Sequence, residues 1–478
     1  EEVLPALRRL EAAAQAGRWA VGYLAYEAAP TLDEALRVRP GEGPLLWFGL
    51  HDAPLGPPPP GPTDARLTGL APLTTREAHA ASVARLREAI AAGAAYQVNL
   101  TLRLEGRLEG DPVALYRRLR AAQGGGQTAF LRAGGRAVVS ASPELFLLKA
   151  GHRVVTRPMK GTARRGRWPE EDEAAARALA ASPKDRAENV MIADLLRNDL
   201  GRVAATGSVA VTAPLAVERF RTVWQLTSTV EARLAPGAGL VALLGATFPC
   251  GSVTGAPKAS AMGLIAAEEA APRGAYCGAV GAVAPGGDAC FSVAIRTCEV
   301  DLASGAARYG VGGGITWGSD AGAEWEEALT KAAVLDLDPA RPTLLETMRL
   351  EGGRVALLDG HLARLAGSAR WHGTPLDLAA ARALVEAEAG DARLRLLLAP
   401  DGALALERAP LPAPLDGPAR VAFARAPVSS RDPGLFHKTT DRARYDARRA
   451  ERPDCFDVIL VNEAGAPTET AIGSLVAE

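Results

Sequence analysis

Lysine is scarce in this chain: only six of its 54 basic residues are Lys, at positions 149, 160, 184, 258, 331 and 438. Arginine cannot lose its proton at usable pH, whereas an ammonium can, and it then serves as a nucleophile or a Schiff-base amine. A chain that uses Arg for general charge keeps Lys where Arg fails, and Lys160, Lys258, Lys331 and Lys438 all fall inside motifs. Cysteine is scarce too. The five (Cys250, Cys277, Cys290, Cys298, Cys455) are odd in number, scattered and without metal-ligand spacing, which argues against a disulfide framework and fits a reducing cytoplasm. There is no run of about 18 or more apolar residues, so no transmembrane helix is expected. A net charge of −1 supplies no basic surface for nucleic acid or an anionic membrane. The chain opens on Glu1 without a signal-peptide pattern, which reads as a trimmed N-terminus.

What is present is enough apolar sequence for two to four domains in 478 residues. Helical periodicity marks Val3–Ala14 and Thr75–Ala92, the latter capped by Thr74 or Thr75 and stopped by Gly93. Strand-like runs cover 19–24, 45–48, 97–104, 128–131, 137–140 and 144–149. Many strands with few helices between them predict a mainly antiparallel α+β domain rather than a dinucleotide-binding unit. Pro54–Pro62 reads as an exposed loop and Leu337–Pro342 as a linker. Beyond it come a hairpin around Glu351-Gly352-Gly353, helices over 361–371 and 380–389, strands over 393–399 and 403–408, a helix through Ala447 and a strand over 456–461.

A long helical stretch within 170–200 carries Asp185 and Glu188, three apart, and Glu324 and Glu327 repeat that spacing on a second helix. Such pairs are commonly solvated helix faces. Two of them meeting across a pocket would also suit a hard cation held by oxygens, such as Mg2+. Gly251–Lys258 leads into a helix over 259–267 and presents backbone N–H groups to an anion. It lacks the Gly-Lys-Ser/Thr of a phosphate-binding loop, so a carboxylate is the better fit. Gly312-Gly313-Gly314 reads as a second backbone cradle, and Arg296, in a strand over 291–297, as a carboxylate fork or an ordinary surface Arg.

Together these stretches resemble the chorismate-utilising enzymes, and among them the aminodeoxychorismate synthase component I branch. The residues that carry the likeness over 1–338 are Gly22–Glu27, Tyr96–Thr101, Ser142–Phe146, Arg157-Pro158-Met159-Lys160-Gly161-Thr162, Asp185–Leu200, Gly251–Lys258, Ile295–Thr297 and Glu324–Lys331. The resemblance implies an anthranilate-synthase-like antiparallel sandwich with outer helices. It implies Lys160 as the covalent nucleophile, at a position where anthranilate synthases usually carry Ala, and Glu144 as general acid. It implies Glu188 and Glu327 as Mg2+ ligands with Asp185 and Glu324 as outer partners, and Arg296, Tyr276, Thr254 and Gly313 as substrate contacts. Gln97 stands where water-using relatives carry a catalytic Lys. Chorismate is the implied substrate, with ammonia from a separate glutamine amidotransferase subunit, since no Gly-x-Cys-x-Gly nucleophile motif is present. Gln225, where many relatives have His, and Cys250, in place of a turn Gly, depart from the pattern.

Residues 343–478 resemble the N-terminal part of aminodeoxychorismate lyase, a fold-type IV pyridoxal 5'-phosphate enzyme, through Leu345–Met348, His361–Leu365, Lys438–Arg442 and Pro467–Thr470. The likeness implies Lys438 as the Schiff-base lysine, Glu469 at the pyridine nitrogen and Arg364 at the phosphate, in a domain cut short at Glu478. The competing readings are an anthranilate synthase, opposed by Lys160, an isochorismate or salicylate synthase, opposed by Gln97, and a non-catalytic amidotransferase scaffold, opposed by the retained Glu144, Lys160, Glu188 and Glu327.

Overall fold

A computed structural model describes residues 2–41, 43–56, 60–124, 126–335, 341–473 and 475. The chain divides into two compact units, one of Glu1–Ala163 with Ala178–Pro339, the other of Arg164–Arg177 with Ala340–Glu478. Of the expected linker, 337–340 lie outside the described residues, as do 57–59 of the Pro-rich loop.

Unit 1 is built on two antiparallel sheets. The nine-stranded one runs Ala210–Arg219, Val223–Arg233, Arg153–Arg157, Leu145–Ala150, Ala289–Val293, Ala279–Val283, Trp19–Leu24, Leu46–His51, and Met159–Arg164 pairs beside Val223–Arg233. The seven-stranded one runs Gly255–Ala256, Gln97–Glu109, Ala306–Ile315, Thr297–Asp301, Arg136–Ser142, Gln127–Ala133, with Arg66–Pro72 also on Gln97–Glu109. These counts refer to the described residues. Alternation explains the central strand: Leu100, Leu102 and Leu104 point into the core while Thr101, Arg103 and Glu105 are partly exposed. Tyr23 and Val280 of one sheet pack with Leu131 and Val138 of the other, which makes the pair a sandwich. The other face of the larger sheet is covered by the helices Val3–Gln15, Pro183–Gly201 and Leu240–Thr247.

Several expectations shift. The stretch 170–200 is two helices, Pro169–Ala181 and Pro183–Gly201. Ser182 breaks and caps it, accepting the Asp185 N–H, and Pro183 takes the first helical position, where no N–H is needed. The expected strand over 291–297 is two, Ala289–Val293 and Thr297–Asp301, and Arg296 lies between them at φ +50°. Gly312–Gly314 is no turn: it lies inside Ala306–Ile315, paired with Thr101, Leu100 and Asn99. A helix over Pro112–Gln123, capped by Asp111 and ended by left-handed Gly124, was not expected.

Unit 2 has a four-stranded antiparallel sheet, ordered Arg354–Val355, Leu344–Glu351, Ala392–Leu398, Leu404–Ala409, packed on helices Leu358–His372 and Leu378–Glu386. A three-stranded sheet of Val421–Phe423, Asp457–Val461 and Pro467–Thr470 has its first pair parallel.

Arg273 is a buried charge of unit 1 that ties several segments together. Its guanidinium pairs with Glu269 (Nη2–Oε1 2.6 Å), donates to the carbonyls of Val253 (2.6 Å) and Asn99 (2.7 Å), and stacks 4.5 Å over Tyr26. Its N–H and that of Gly274 donate to Glu27. Removing one member of a buried pair leaves an uncompensated charge. Arg273→Ala is expected to destabilise unit 1 by about 3–5 kcal/mol, read as a lowered urea midpoint. Arg273→Lys should recover little, because an ammonium cannot reproduce the fork.

Candidate active site

The strand Met159–Arg164 carries Lys160, and the turn before Leu145–Ala150 carries Glu144. Both are brought to the end of the central strand that begins at Gln97. A Cβ built on Gly314 would stand 2.0 Å from the Gln97 amide nitrogen and 3.1 Å from Lys160 Nζ. That close approach explains why Gly314 carries no side chain and places the amide and the amine around one spot. Burial lowers the Lys160 amine from its ordinary value, and nearby Lys331 adds to this against Glu188, Glu144 and Glu327. Burial acts oppositely on Glu144, raising its carboxyl to about 7. The Glu144 backbone N–H is held by Ser142 Oγ at 3.1 Å. One Glu144 oxygen and both polar atoms of the Gln97 amide are buried without a hydrogen-bond partner. Buried polar groups are ordinarily paired, so these atoms are free to take up a polar ligand.

Acidic groups approach from two helices. Ser182 starts one helix early enough that Asp185 and Glu188 both fall in its first turns, and Gly161 at φ +91° lies against Asp185. Asp320 caps the helix Ala321–Thr330, which presents Glu324 and Glu327. A Cβ on Gly313 would meet Glu324 Oε2 at 3.1 Å and Glu327 Oε1 at 3.8 Å, so Gly313 lies against these carboxylates. Burial raises Glu188 and Glu324, each pushed further by neighbouring carboxylates, Asp185 and Glu324 for the one, Glu327 for the other. Glu324 accepts a hydrogen bond from Ser319 Oγ at 2.7 Å. Burial pushes Glu327 up, but Lys331, 2.9 Å away, together with Lys160 and Lys184, outweighs it and lowers the carboxyl. Among the described residues no three acidic, His or Cys groups close to a metal-binding cluster. Neighbouring carboxylates add to the rise of Glu188 and Glu324, while Lys331 and Lys184 pair with Glu327 and Glu188 at 2.9 and 3.9 Å.

Arg296 sits in the left-handed region, strained for a non-glycine residue, with its guanidinium donating to Gln123 Oε1 and lowered by burial. Tyr276 is buried with its ring against Gly310, where a Cβ would stand 2.2 Å from the ring. It borders a cavity of about 310 Å3 also lined by Glu269, Arg273, Glu299 and Arg308, which reaches neither Lys160 nor Glu144. Thr254 is wholly buried, and its hydroxyl donates to the carbonyls of Cys250 and Gly251. Lys258 is drawn away from the Gly251–Gly255 turn, bound to Asp199 (2.7 Å) and the Thr247 carbonyl. Gln225 accepts from Thr162 Oγ1 at 3.2 Å, and the buried Cys250 thiol lies 3.3 Å from Ser252 Oγ.

Sequence reasoning missed the supports. Asn189 donates to the carbonyls of Leu226 and Lys160, and Ser228 donates to Asn189. Its place one residue after Glu188, on the buried side of the helix, was the available signal.

In unit 2, Glu346 is buried and accepts two hydrogen bonds from Arg364, with His361 Nδ1 2.8 Å away. Although Lys438 is exposed as a residue, desolvation at its amine lowers it, and Arg364, Arg442 and Arg395 reinforce the shift against Glu346. Tyr445 donates to Glu469 at 2.9 Å, and burial raises that carboxyl.

Residues 55–336 match the profile of the chorismate binding enzyme family, and 343–478 that of amino-transferase class IV. Over 250 residues the chain is 48% identical to an aminodeoxychorismate synthase of Streptomyces griseus, covering 52% of this chain and 34% of that one. It is 45% identical over 240 residues to aminodeoxychorismate synthase component 1 of Salmonella typhimurium (50% and 52%), and 41% over 307 residues to anthranilate synthase component 1 of Thermus thermophilus (62% and 65%). The matches thus span between a third and two thirds of these relatives. Anthranilate synthase component I from Streptococcus pneumoniae superposes with a TM-score of 0.59 at 29% identity, over 66% of this chain and 80% of that one. With a two-sheet sandwich and a family profile matching 55–336, more than half of its length, the chain belongs to the chorismate binding enzyme family.

Proposed function

We propose that unit 1 is the chorismate site of an aminodeoxychorismate synthase component I, replacing the C4 hydroxyl of chorismate with ammonia. The observation that carries this reading is an amine whose proton is loosened by burial, Lys160, beside a carboxyl that keeps its proton to about 7, Glu144. The neutral Lys160 amine attacks ring C2, both ring double bonds shift by one position toward C4, and the C4 hydroxyl leaves as water with the proton from Glu144. Ammonia then adds at C4, both double bonds return, the C2–N bond breaks to release the Lys160 amine, and a proton from the new ammonium restores Glu144. Two displacements replace one difficult one, and an acid is needed because hydroxide is a poor leaving group.

Gln97 offers amide hydrogen bonds to the ring substituents. Arg296 and Tyr276 hold the enolpyruvyl carboxylate, and Thr254 and Gly313 shape the floor. Glu188 and Glu327 would hold Mg2+, with Asp185 and Glu324 alongside. The ion would supply charge to bind and polarise the ring carboxylate. Ammonia comes from a glutamine amidotransferase subunit. Unit 2 contributes a lyase site that releases p-aminobenzoate and pyruvate. There Lys438, Glu469 and Arg364 would hold pyridoxal 5'-phosphate, whose chemistry is that of an electron sink. Two Arg364 nitrogens are taken by Glu346, leaving the remaining N–H groups for a phosphate. The 41% identity to an anthranilate synthase favours a second reading, anthranilate formation at the same site.

Product analysis with chorismate, Mg2+ and ammonium decides between the two readings. Wild-type protein is expected to give 4-amino-4-deoxychorismate and Lys160→Ala none; anthranilate from the wild type, or a Lys160→Ala variant as fast, overturns the assignment. Glu144 acts while protonated, so turnover should fall as pH rises through about 7. Glu144→Gln should lose that limb together with roughly 100- to 10,000-fold in kcat. Gly314→Ala drives a methyl into the Gln97 amide and should lower kcat by about 100-fold, with the thermal transition little changed.

A further inference from the structure

The segment Arg164–Arg177 follows Lys160 closely in sequence yet belongs to unit 2 by packing. It is a folded strap. Arg165 pairs with both oxygens of Asp172 (2.7 and 2.6 Å), and both side chains are nearly inaccessible. A Cβ on Gly166 would stand 2.1 Å from the Asp172 nitrogen, so this turn has no room for a side chain. Trp371 donates its indole N–H to the Gly166 carbonyl (2.7 Å), while Arg165 donates to the Trp371 carbonyl (2.9 Å) and lies 4.9 Å over its ring. Trp168 stacks on Phe436 with ring centroids 4.9 Å apart, and Arg167 covers both rings and donates to the Ser430 carbonyl. Trp371 in turn stacks 4.5 Å from His437.

Phe436 and His437 immediately precede Lys438. On the other side, Lys438 is held through its carbonyl, which accepts the Leu345 N–H at 3.0 Å. Lys438 thus sits between a strand bond that follows it and an aromatic stack that precedes it. We propose that the Arg164–Arg177 strap is a positioning element for Lys438: Trp168, with Arg165 and Arg167, seats Phe436–His437 and so fixes where the amine points and how dry it is kept. The amine of the second unit is then set by residues encoded within the first half of the chain. This rests on the reading of Lys438 as the cofactor-binding lysine.

The groups facing the Lys438 amine are Glu346 on the strand Leu344–Glu351, Arg364 on the helix Leu358–His372, Arg395 on Ala392–Leu398, Arg442, and Glu469 on Pro467–Thr470. None belongs to the strap, so a strap variant changes the amine through seating and desolvation alone. Loss of the stack admits water and moves the amine upward, toward ordinary lysine.

The test uses the full chain as wild type, Trp168→Ala, Trp168→Phe and Phe436→Ala. Two quantities are read: backbone hydrogen exchange, and pH-dependent loading of Lys438 with pyridoxal 5'-phosphate, fixed by borohydride and located by peptide mass. Wild type is expected to protect the strap amides. Trp168→Ala and Phe436→Ala should speed exchange across 436–438 but not in the strands Leu344–Glu351 and Ala392–Leu398. They should also weaken loading at neutral pH by roughly tenfold and shift its pH profile upward, with Trp168→Phe restoring both. Strap amides that exchange at free-chain rates in wild type, or a Trp168→Ala profile equal to wild type, overturn the strap. Protected and coupled segments in a wild type that takes no pyridoxal phosphate overturn instead the cofactor reading of Lys438, and the positioning role with it.

Discussion

One buried guanidinium holds the first unit's chemistry in register. Arg273 joins Glu269, the Val253 and Asn99 carbonyls, the Tyr26 ring and, through its own backbone and that of Gly274, Glu27. Glu269 in turn accepts from Thr101 N–H and Oγ1. Those partners lie in stretches far apart in sequence: the Gly22–Glu27 run, the strand that carries Gln97, the turn that carries Thr254, and the loop that carries Tyr276. A charge this deep is tolerated only when every donor is satisfied. The segments therefore cannot drift independently, and Glu27, raised by burial to about 7, belongs to this brace rather than to the reacting centre.

Around Lys160 and Glu144 the same physical term, desolvation, acts on two groups of opposite charge type. It favours the neutral amine and the neutral acid together, the pair a displacement on a neutral hydroxyl leaving group calls for. The glycines 313 and 314 let the strand Ala306–Ile315 come close enough for this. One backs onto the carboxylates and the other onto the Gln97 amide and Lys160 amine. Because strand neighbours point to opposite faces, two consecutive glycines open both sides of one strand at once.

Much of this was legible in residues. The Ser182-Pro183 pair, the Thr75 cap and the alternation of Leu100, Leu102 and Leu104 are local rules, and the helices and strands follow them. The helix Pro112–Gln123 obeyed the same rules, with Asp111, Pro112 and Gly124 in place, and its capping signals went unread. Arg296 and Gly312–Gly314 were misplaced for a different reason. The chain leaves one sheet and enters the other at Arg296, and the triple glycine is a strand because Thr101, Leu100 and Asn99 pair with it; both are long-range facts.

Residue patterns alone give the antiparallel α+β class, and the likeness of the motifs around Lys160, Glu144 and the paired carboxylates to known enzymes gives the family. Tertiary structure alone decided which of those groups face one another. It took Lys258 out of the anion turn and gave it to Asp199, brought Arg273 among segments distant in sequence, and packed Arg164–Arg177 with the second unit. The physical reason is that burial and pairing are set by neighbours distant along the chain, and no local pattern encodes which residue arrives to satisfy a buried charge.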